Sequence, residues 1–302
     1  MSFPSPFPPE IRTVGVFAPA GVPEPERLQR GLERLREWGL EVVYPGRDDP
    51  RDRFFAGTDS LRVQRLHELL ANPRVDLLLA ARGGYGCARL LDGLDWDLFL
   101  SRGLPLVGYS DLTALHVAAF ARGYRRGVFG PMVVGDLARV SADAEETAEL
   151  AGVFASLGAA LAGRSQAFGN LHCLQAGEAS GPLVPANLAV LASLAGTVHA
   201  PGLSGAILVL EDVNEAAYRV DRCLAQLAQS GMLTGVAGIA FAQFSQAEDA
   251  EWLPEVLADC AGRVAGPVVS GLGFGHAFPS ACLPVGRCAR LEAAPQTSRL
   301  VV

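Results

Sequence analysis

Short apolar runs alternate with helix-period patterns through the first half of this chain, and no other feature restricts its fold as strongly. Residues 13–18 read as a buried strand, closed by the turn residues Pro19, Ala20 and Gly21. Leu28, Leu32 and Leu35 then fall on one face of a helix that ends at Gly39. Residues 40–44 form a second strand, and Leu61, Leu66, Leu69 and Leu70 mark a second helix stopped by Asn72 and Pro73. Residues 75–80 are apolar apart from Asp76, the pattern of a strand covered on both faces. Short helices near 87–91 and 96–100 lead into a strand at 104–109, a helix at 112–121 and a strand at 127–129. Strands separated by helices predict an α/β fold with a parallel sheet.

The pattern weakens after a helix at 144–157. Residues 158–181 are rich in Gly, Ala, Ser and Gln, which places a domain boundary there: an N-terminal α/β domain at 1–158, a linker at 159–181 and a C-terminal domain at 182–302. The second part carries helical patterns at 187–195, 218–229 and 252–261, and strands at 206–210, 239–244 and 267–270. It closes in a hairpin of 286–292 with 298–302 around Ala294 and Pro295. Half of the residues are hydrophobic and 19% are charged, ample material for packed cores.

Composition also excludes several chemistries. The sequence contains no lysine, which rules out a Walker A phosphate loop, a pyridoxal Schiff base and a Ser-x-x-Lys nucleophile. Net charge is −7, and the densest positive cluster, Arg122, Arg125 and Arg126, is too small for a nucleic-acid surface. The six cysteines form no C-x-x-C pair and no H-E-x-x-H occurs, so neither a metal site nor a disulfide framework is expected. The proline-rich start lacks the basic and apolar regions of a secretory signal, and no apolar run reaches the roughly 18 residues of a membrane helix. The expected setting is the cytoplasm, without a membrane partner.

Ser110 lies at the joint between the strand at 104–109 and a helix start, in the run Gly108-Tyr109-Ser110-Asp111. Such a turn exposes the hydroxyl and leaves the following N–H groups free to hold an oxyanion at the positive end of the helix dipole. A serine there equally serves as a plain helix N-cap, and Leu112 breaks the Gly-x-Ser-x-Gly elbow pattern. Arg82-Gly83-Gly84-Tyr85-Gly86 follows the strand at 75–80, where paired glycines let backbone approach a ligand. An ordinary tight turn has the same composition. Glu211 and Asp212 end the strand at 206–210, a place for a catalytic carboxylate or for a solvated one. Among five histidines, His276 in the flexible run Gly273-Phe274-Gly275-His276 is the best general-base candidate, while His67, His116, His172 and His199 show no evident catalytic partner.

Five runs, in order along nearly the whole chain, resemble the LD-carboxypeptidases, a serine peptidase family that includes muropeptide LD-carboxypeptidases and microcin-immunity peptidases. They are Arg82-Gly-Gly-Tyr-Gly86, Gly108-Tyr-Ser-Asp111, Gly130-Pro-Met132, Leu210-Glu-Asp212 with Tyr218-Arg-Val-Asp-Arg222, and Phe274-Gly-His276 with Leu283-Pro-Val-Gly286. The resemblance implies a flavodoxin-like parallel-sheet domain followed by a C-terminal β-rich α+β domain. It also implies a catalytic triad of Ser110, His276 and Glu211 split between the two domains. The backbone N–H groups of Gly84 and Asp111 would form the oxyanion hole, and Arg82, Tyr85 and Asn187 are substrate-binding candidates. Neither a metal nor an organic cofactor is implied. The implied reaction is removal of the terminal D-alanine from a cytoplasmic murein tetrapeptide, at an L-centre to D-alanine bond, by a homodimer. Other readings stay open: a self-immunity peptidase acting on a peptidyl-nucleotide antibiotic, a non-catalytic muropeptide-binding module, and a cysteine amidotransferase using Cys87. One departure is Pro185-Ala186-Asn187-Leu188, where the family usually has Gly-Gly-Asn-Leu. Pro185 removes a backbone donor from what is expected to be a loop near the substrate.

Overall fold

In the computed structural model, which describes residues 3–302, the apolar runs of the first half become a parallel sheet in the order β2-β1-β3-β4-β5. Its strands are β1 (Thr13–Phe17), β2 (Glu41–Val43), β3 (Leu77–Ala80), β4 (Leu106–Val107) and β5 (Gly127–Phe129). The helices are α1 (Pro25–Glu37), α2 (Asp59–Ala71), α3 (Trp96–Arg102), α4 (Thr113–Ala121) and α5 (Ala144–Ala162). Every residue of β1, β3, β4 and β5 is buried, as strands covered by helices on both faces must be. Leu32, Leu35, Leu150 and Phe154 from α1 and α5 pack in one apolar cluster. Leu66, Leu69, Leu115 and Ala118 from α2 and α4 pack in another. This is the flavodoxin strand order, in which ligands sit beyond the C-terminal ends of the strands. The loops carrying Gly83 and Ser110 leave from those ends of β3 and β4.

The second half contains β6 (Ala167–Gln175), β7 (Gly177–Asn187), β8 (Ile207–Val213), β9 (Gly238–Ser245), β10 (Val268–Ser270), β11 (Leu283–Val285), β12 (Cys288–Ala293) and β13 (Ser298–Val301). Seven of these close into a barrel, β10-β6-β13-β12-β7-β8-β9. Ile207, Val209, Val269, Leu291 and Leu300 form an apolar cluster among the barrel strands. Alternate residues such as Leu208, Leu210 and Phe241 belong instead to the cluster that includes α6 (Leu188–Ser193), α7 (Ala217–Gln229) and α8 (Leu253–Ala261).

The segment 159–181, expected as a linker, is barrel wall. Helix α5 runs on to Ala162, and β6 with the first part of β7 takes up most of the rest. Strand β6 buries only Leu171, and β7 buries nothing before Leu183. Ladder bonds to β12 and β13 hold them, so no apolar alternation announces them in the sequence. The two halves also interlock: β11 pairs antiparallel with β5, with Leu283 opposite Phe129, and adds a sixth strand to the first sheet. No helix among the described residues is long and apolar enough to cross a membrane.

Candidate active site

Ser110 follows β4 in a single 3-10 turn, Ser110–Leu112, that runs directly into α4. Its backbone sits at φ +65°, a left-handed conformation that a residue with a Cβ holds only under tertiary constraint. Gly108 N–H donates to the Val128 carbonyl at 3.1 Å, fixing the entry to the turn. Opposite, a Cβ at Gly83 would stand 3.0 Å from Ser110 Cβ and 3.2 Å from its Oγ, so a side chain there would press on the hydroxyl and glycine lets the β3 loop approach it closely.

Glu211 lies within β8 rather than at its end, and it is completely buried. By the two-residue period it shares a face with Ile207 and Val209, at a place where the pairing of β8 with β9 shifts register. Its Oε2 accepts from His276 Nδ1 at 2.7 Å, and its Oε1 accepts from Asn187 Nδ2 at 3.2 Å. Burial pushes the Glu211 carboxyl above the usual carboxylate range, while the contacts with His276 and Asn187 pull it back. His276 stands on the loop between β10 and β11, pinned by Gly275 N–H to Ser280 Oγ at 2.9 Å and by Gln243 N–H to the Phe274 carbonyl at 3.0 Å. Gly275 has φ +133°, and a Cβ there would meet Glu211 Oε2 at 2.9 Å, so a side chain would break the pair. The imidazole packs edge-on against Tyr109, ring centroids 5.0 Å apart, beside the residue that precedes Ser110. No hydrogen bond joins Ser110 Oγ to His276 among the described residues; such bonds commonly tighten only in the substrate complex.

Asn187, expected at the substrate, is buried and its carboxamide is fully committed. Besides Glu211, Nδ2 reaches Asp212 Oδ1 at 2.8 Å, and Oδ1 caps α6 through Val190 N–H at 3.1 Å. Its own N–H donates to Thr113 Oγ1 on α4 at 2.9 Å, tying the Glu211 framework to the helix that follows Ser110. Pro185 and Ala186 lie in β7, buried and in register with Val209 and Leu210, so the departure from paired glycines alters a strand and not a loop. Arg82 and Tyr85 stand exposed on the loop that carries Gly83 and Gly84. Arg82 Nη1 donates to the Val22 carbonyl at 2.6 Å, and Tyr85 packs against Phe54 and Phe55. The Asp111 side chain turns inward and accepts from Cys87 N–H at 2.8 Å. Burial and the Asp111 carboxylate raise the Cys87 thiol well above its ordinary value. It stays protonated and is a poor nucleophile, which removes support for a cysteine amidotransferase. His67 accepts from Asp95 N–H at 2.9 Å and His199 pairs with Asp92 at 2.8 Å, so both have structural partners. Among the described residues no group of three or more His, Cys, Asp or Glu could hold a metal ion.

His116 supports the Ser110 turn from behind. Fully buried on α4, it donates from Nε2 to the Gly108 carbonyl at 2.9 Å and leaves Nδ1 without a partner. Burial pushes its pKa from 6.5 down to about 4. The unfolded chain takes up this proton near pH 6.5 and the folded chain only near pH 4, so stability should fall as pH drops through that window. The loss expected is up to about 3 kcal/mol. Urea unfolding at pH 7 and at a pH near 4.5 checks this. His116→Gln keeps a donor for Gly108 but cannot titrate, and should lose this part of the pH dependence; an unchanged dependence would overturn the assignment.

Two sequence profiles match the chain: an LD-carboxypeptidase N-terminal domain over residues 14–129 and an LD-carboxypeptidase C-terminal domain over residues 180–291. A Streptomyces coelicolor protein provisionally named a carboxypeptidase is 42% identical, across 93% of this chain and 90% of that protein. The murein tetrapeptide carboxypeptidase of Pseudomonas aeruginosa is 34% identical, across 92% of each. The crystal structure of muramoyltetrapeptide carboxypeptidase from Oxalobacter formigenes superimposes with a TM-score of 0.85 at 30% identity, covering 96% of this chain and 98% of that one.

Proposed function

This chain belongs to the LD-carboxypeptidases, a family of serine-type peptidases, and from there we propose that it releases the terminal D-alanine of murein tetrapeptides through a triad of Ser110, His276 and Glu211. The observation that carries this reading is the Glu211–His276 pair at 2.7 Å, packed against Tyr109 beside the strained Ser110 turn. With Nδ1–H donated to Glu211, Nε2 is the nitrogen left to take the Ser110 proton as Oγ attacks the scissile carbonyl. Glu211 holds that tautomer and stabilises the imidazolium that results. The developing oxyanion falls to the N–H groups of Gly84 and Asp111, each such donor being worth about 3 kcal/mol of barrier. His276 returns the proton to the departing D-alanine amine, and water then hydrolyses the acyl-enzyme with His276 again as base.

Arg82 has no carboxylate partner among the described residues and is the contact for a substrate carboxylate, with Tyr85 exposed beside it. A cytoplasmic setting and a homodimer complete the reading. The test is incubation of the purified protein with murein tetrapeptide, with tripeptide and free D-alanine followed by mass spectrometry. Release of both is the expected result. Binding without turnover would instead make the protein a muropeptide-binding module, and preferential hydrolysis of an aminoacyl-sulfamoyl adenylate would make it a self-immunity peptidase.

A further inference from the structure

One peptide group in the loop after β3 is held from both sides by buried charged side chains. The Gly86 carbonyl accepts from Arg62 Nη1 at 3.2 Å, and the N–H of the next residue, Cys87, donates to Asp111 Oδ2 at 2.8 Å. Arg62 is 3% exposed and Asp111 2%. A buried guanidinium is costly unless its donors are satisfied, and those of Arg62 are spread over several segments. Nε reaches the Gly57 carbonyl at 3.2 Å, Nη1 also bonds the Pro19 carbonyl, and Nη2 bonds the Asp59 carboxylate. One side chain on α2 therefore fastens the loop after β1, the loop after β3 and the start of its own helix. Gly86 must be glycine for this: its φ is +137°, and a Cβ would stand 2.7 Å from Arg62 Nη1.

The position of the clamp gives it a task. Asp111 directly follows Ser110, and its carboxylate grips the loop three residues beyond Gly84. Gly84 has φ +114°, so the stretch from Gly84 to Gly86 has little conformational preference of its own and takes its shape from external restraint. We infer that Arg62 and Asp111 are positioning residues: by gripping the Gly86–Cys87 peptide from opposite sides, they set the spacing between the N–H groups of Gly84 and Asp111 that receives the oxyanion. This rests on the catalytic reading above. Neither side chain needs to touch substrate. Loosening the clamp misplaces donors that matter most when charge develops, so it lowers kcat and spares KM.

The experiment uses the full chain with Asp111→Ala, Asp111→Asn and Arg62→Lys. Asparagine still offers an oxygen to Cys87 N–H, whereas alanine offers none, and lysine keeps the charge of Arg62 but not its fan of donors. Three quantities are read: kcat and KM for murein tetrapeptide, affinity for a peptidyl aldehyde, and the melting temperature. The aldehyde carbon bonds to Ser110 Oγ as a hemiacetal with no leaving group, and its oxygen occupies the oxyanion position. Asp111→Ala and Arg62→Lys should each lower kcat by about 10²-fold, with aldehyde affinity falling in parallel and KM changing little. Asp111→Asn should recover most of both. Folded variants with unchanged kcat and aldehyde affinity would overturn the inference. So would an Asp111→Asn variant as impaired as Asp111→Ala; if Asp111→Ala does not fold, an Arg62→Lys variant with parental kcat and aldehyde affinity overturns the inference. Wild-type turnover by Ser110→Ala would instead sink the catalytic reading itself, a result distinguishable from failure of the clamp alone.

Discussion

Ser110→Ala should abolish release of D-alanine from a murein tetrapeptide, lowering turnover by about 10⁶-fold while the peptide still binds. The size follows from the role: without Oγ there is no acyl-enzyme, and only binding and the oxyanion donors remain to assist water. The variant should fold as the parent does. The left-handed φ of +65° is as demanding for alanine as for serine, and the Gly83 approach loses only an oxygen from its contact. Single-turnover kinetics, calorimetric binding of the intact tetrapeptide and a thermal melt together check this. Undiminished D-alanine release by a folded Ser110→Ala protein would remove Ser110 from the reaction.

Glu211→Gln should cost about 10⁴-fold in kcat, about 5 kcal/mol of barrier, with little change in fold. Glutamine fills the same space, but its amide can offer N–H to His276 Nδ1 and so favour the tautomer that cannot accept a proton at Nε2. Even with its oxygen turned to Nδ1, it lacks the charge that stabilises an imidazolium. Glu211 is completely buried, so no water can take over the task. The carboxamide can still meet both His276 Nδ1 and Asn187 Nδ2, so the melting temperature should change little, which separates a catalytic loss from unfolding. A kcat within tenfold of the parent would exclude Glu211 from orienting the base.

The first sheet was legible in the sequence because its signals are local. Strands β3 and β5 are buried on both faces and read as apolar runs, and helices α1 and α2 repeat their leucines with the helical period. The Gly83 loop and the Ser110 turn were legible for a related reason, since each is a short run whose chemistry lies in adjacent residues. Strand β6 was not, because eight of its nine residues escape burial and its partners, β10 and β13, lie about 90 to 135 residues away. Asn187 reads as a substrate-binding candidate because a sequence shows a residue's type and not its commitments. Its partners Thr113, Glu211 and Asp212 come from remote segments.

The amino-acid sequence by itself thus determined an α/β fold beginning with a parallel sheet, a lysine-free chemistry and the residues from which a serine peptidase site could be built. Which side chains meet was decided only by tertiary structure. The bond between His276 and Glu211 joins residues 65 apart in the chain, and the grip of Asp111 on Cys87 joins residues 24 apart. Such contacts have no period and no fixed spacing. They arise when β11, from the second half of the chain, joins the first sheet beside β5 and the barrel docks there, which brings the loop bearing His276 against Tyr109 beside Ser110.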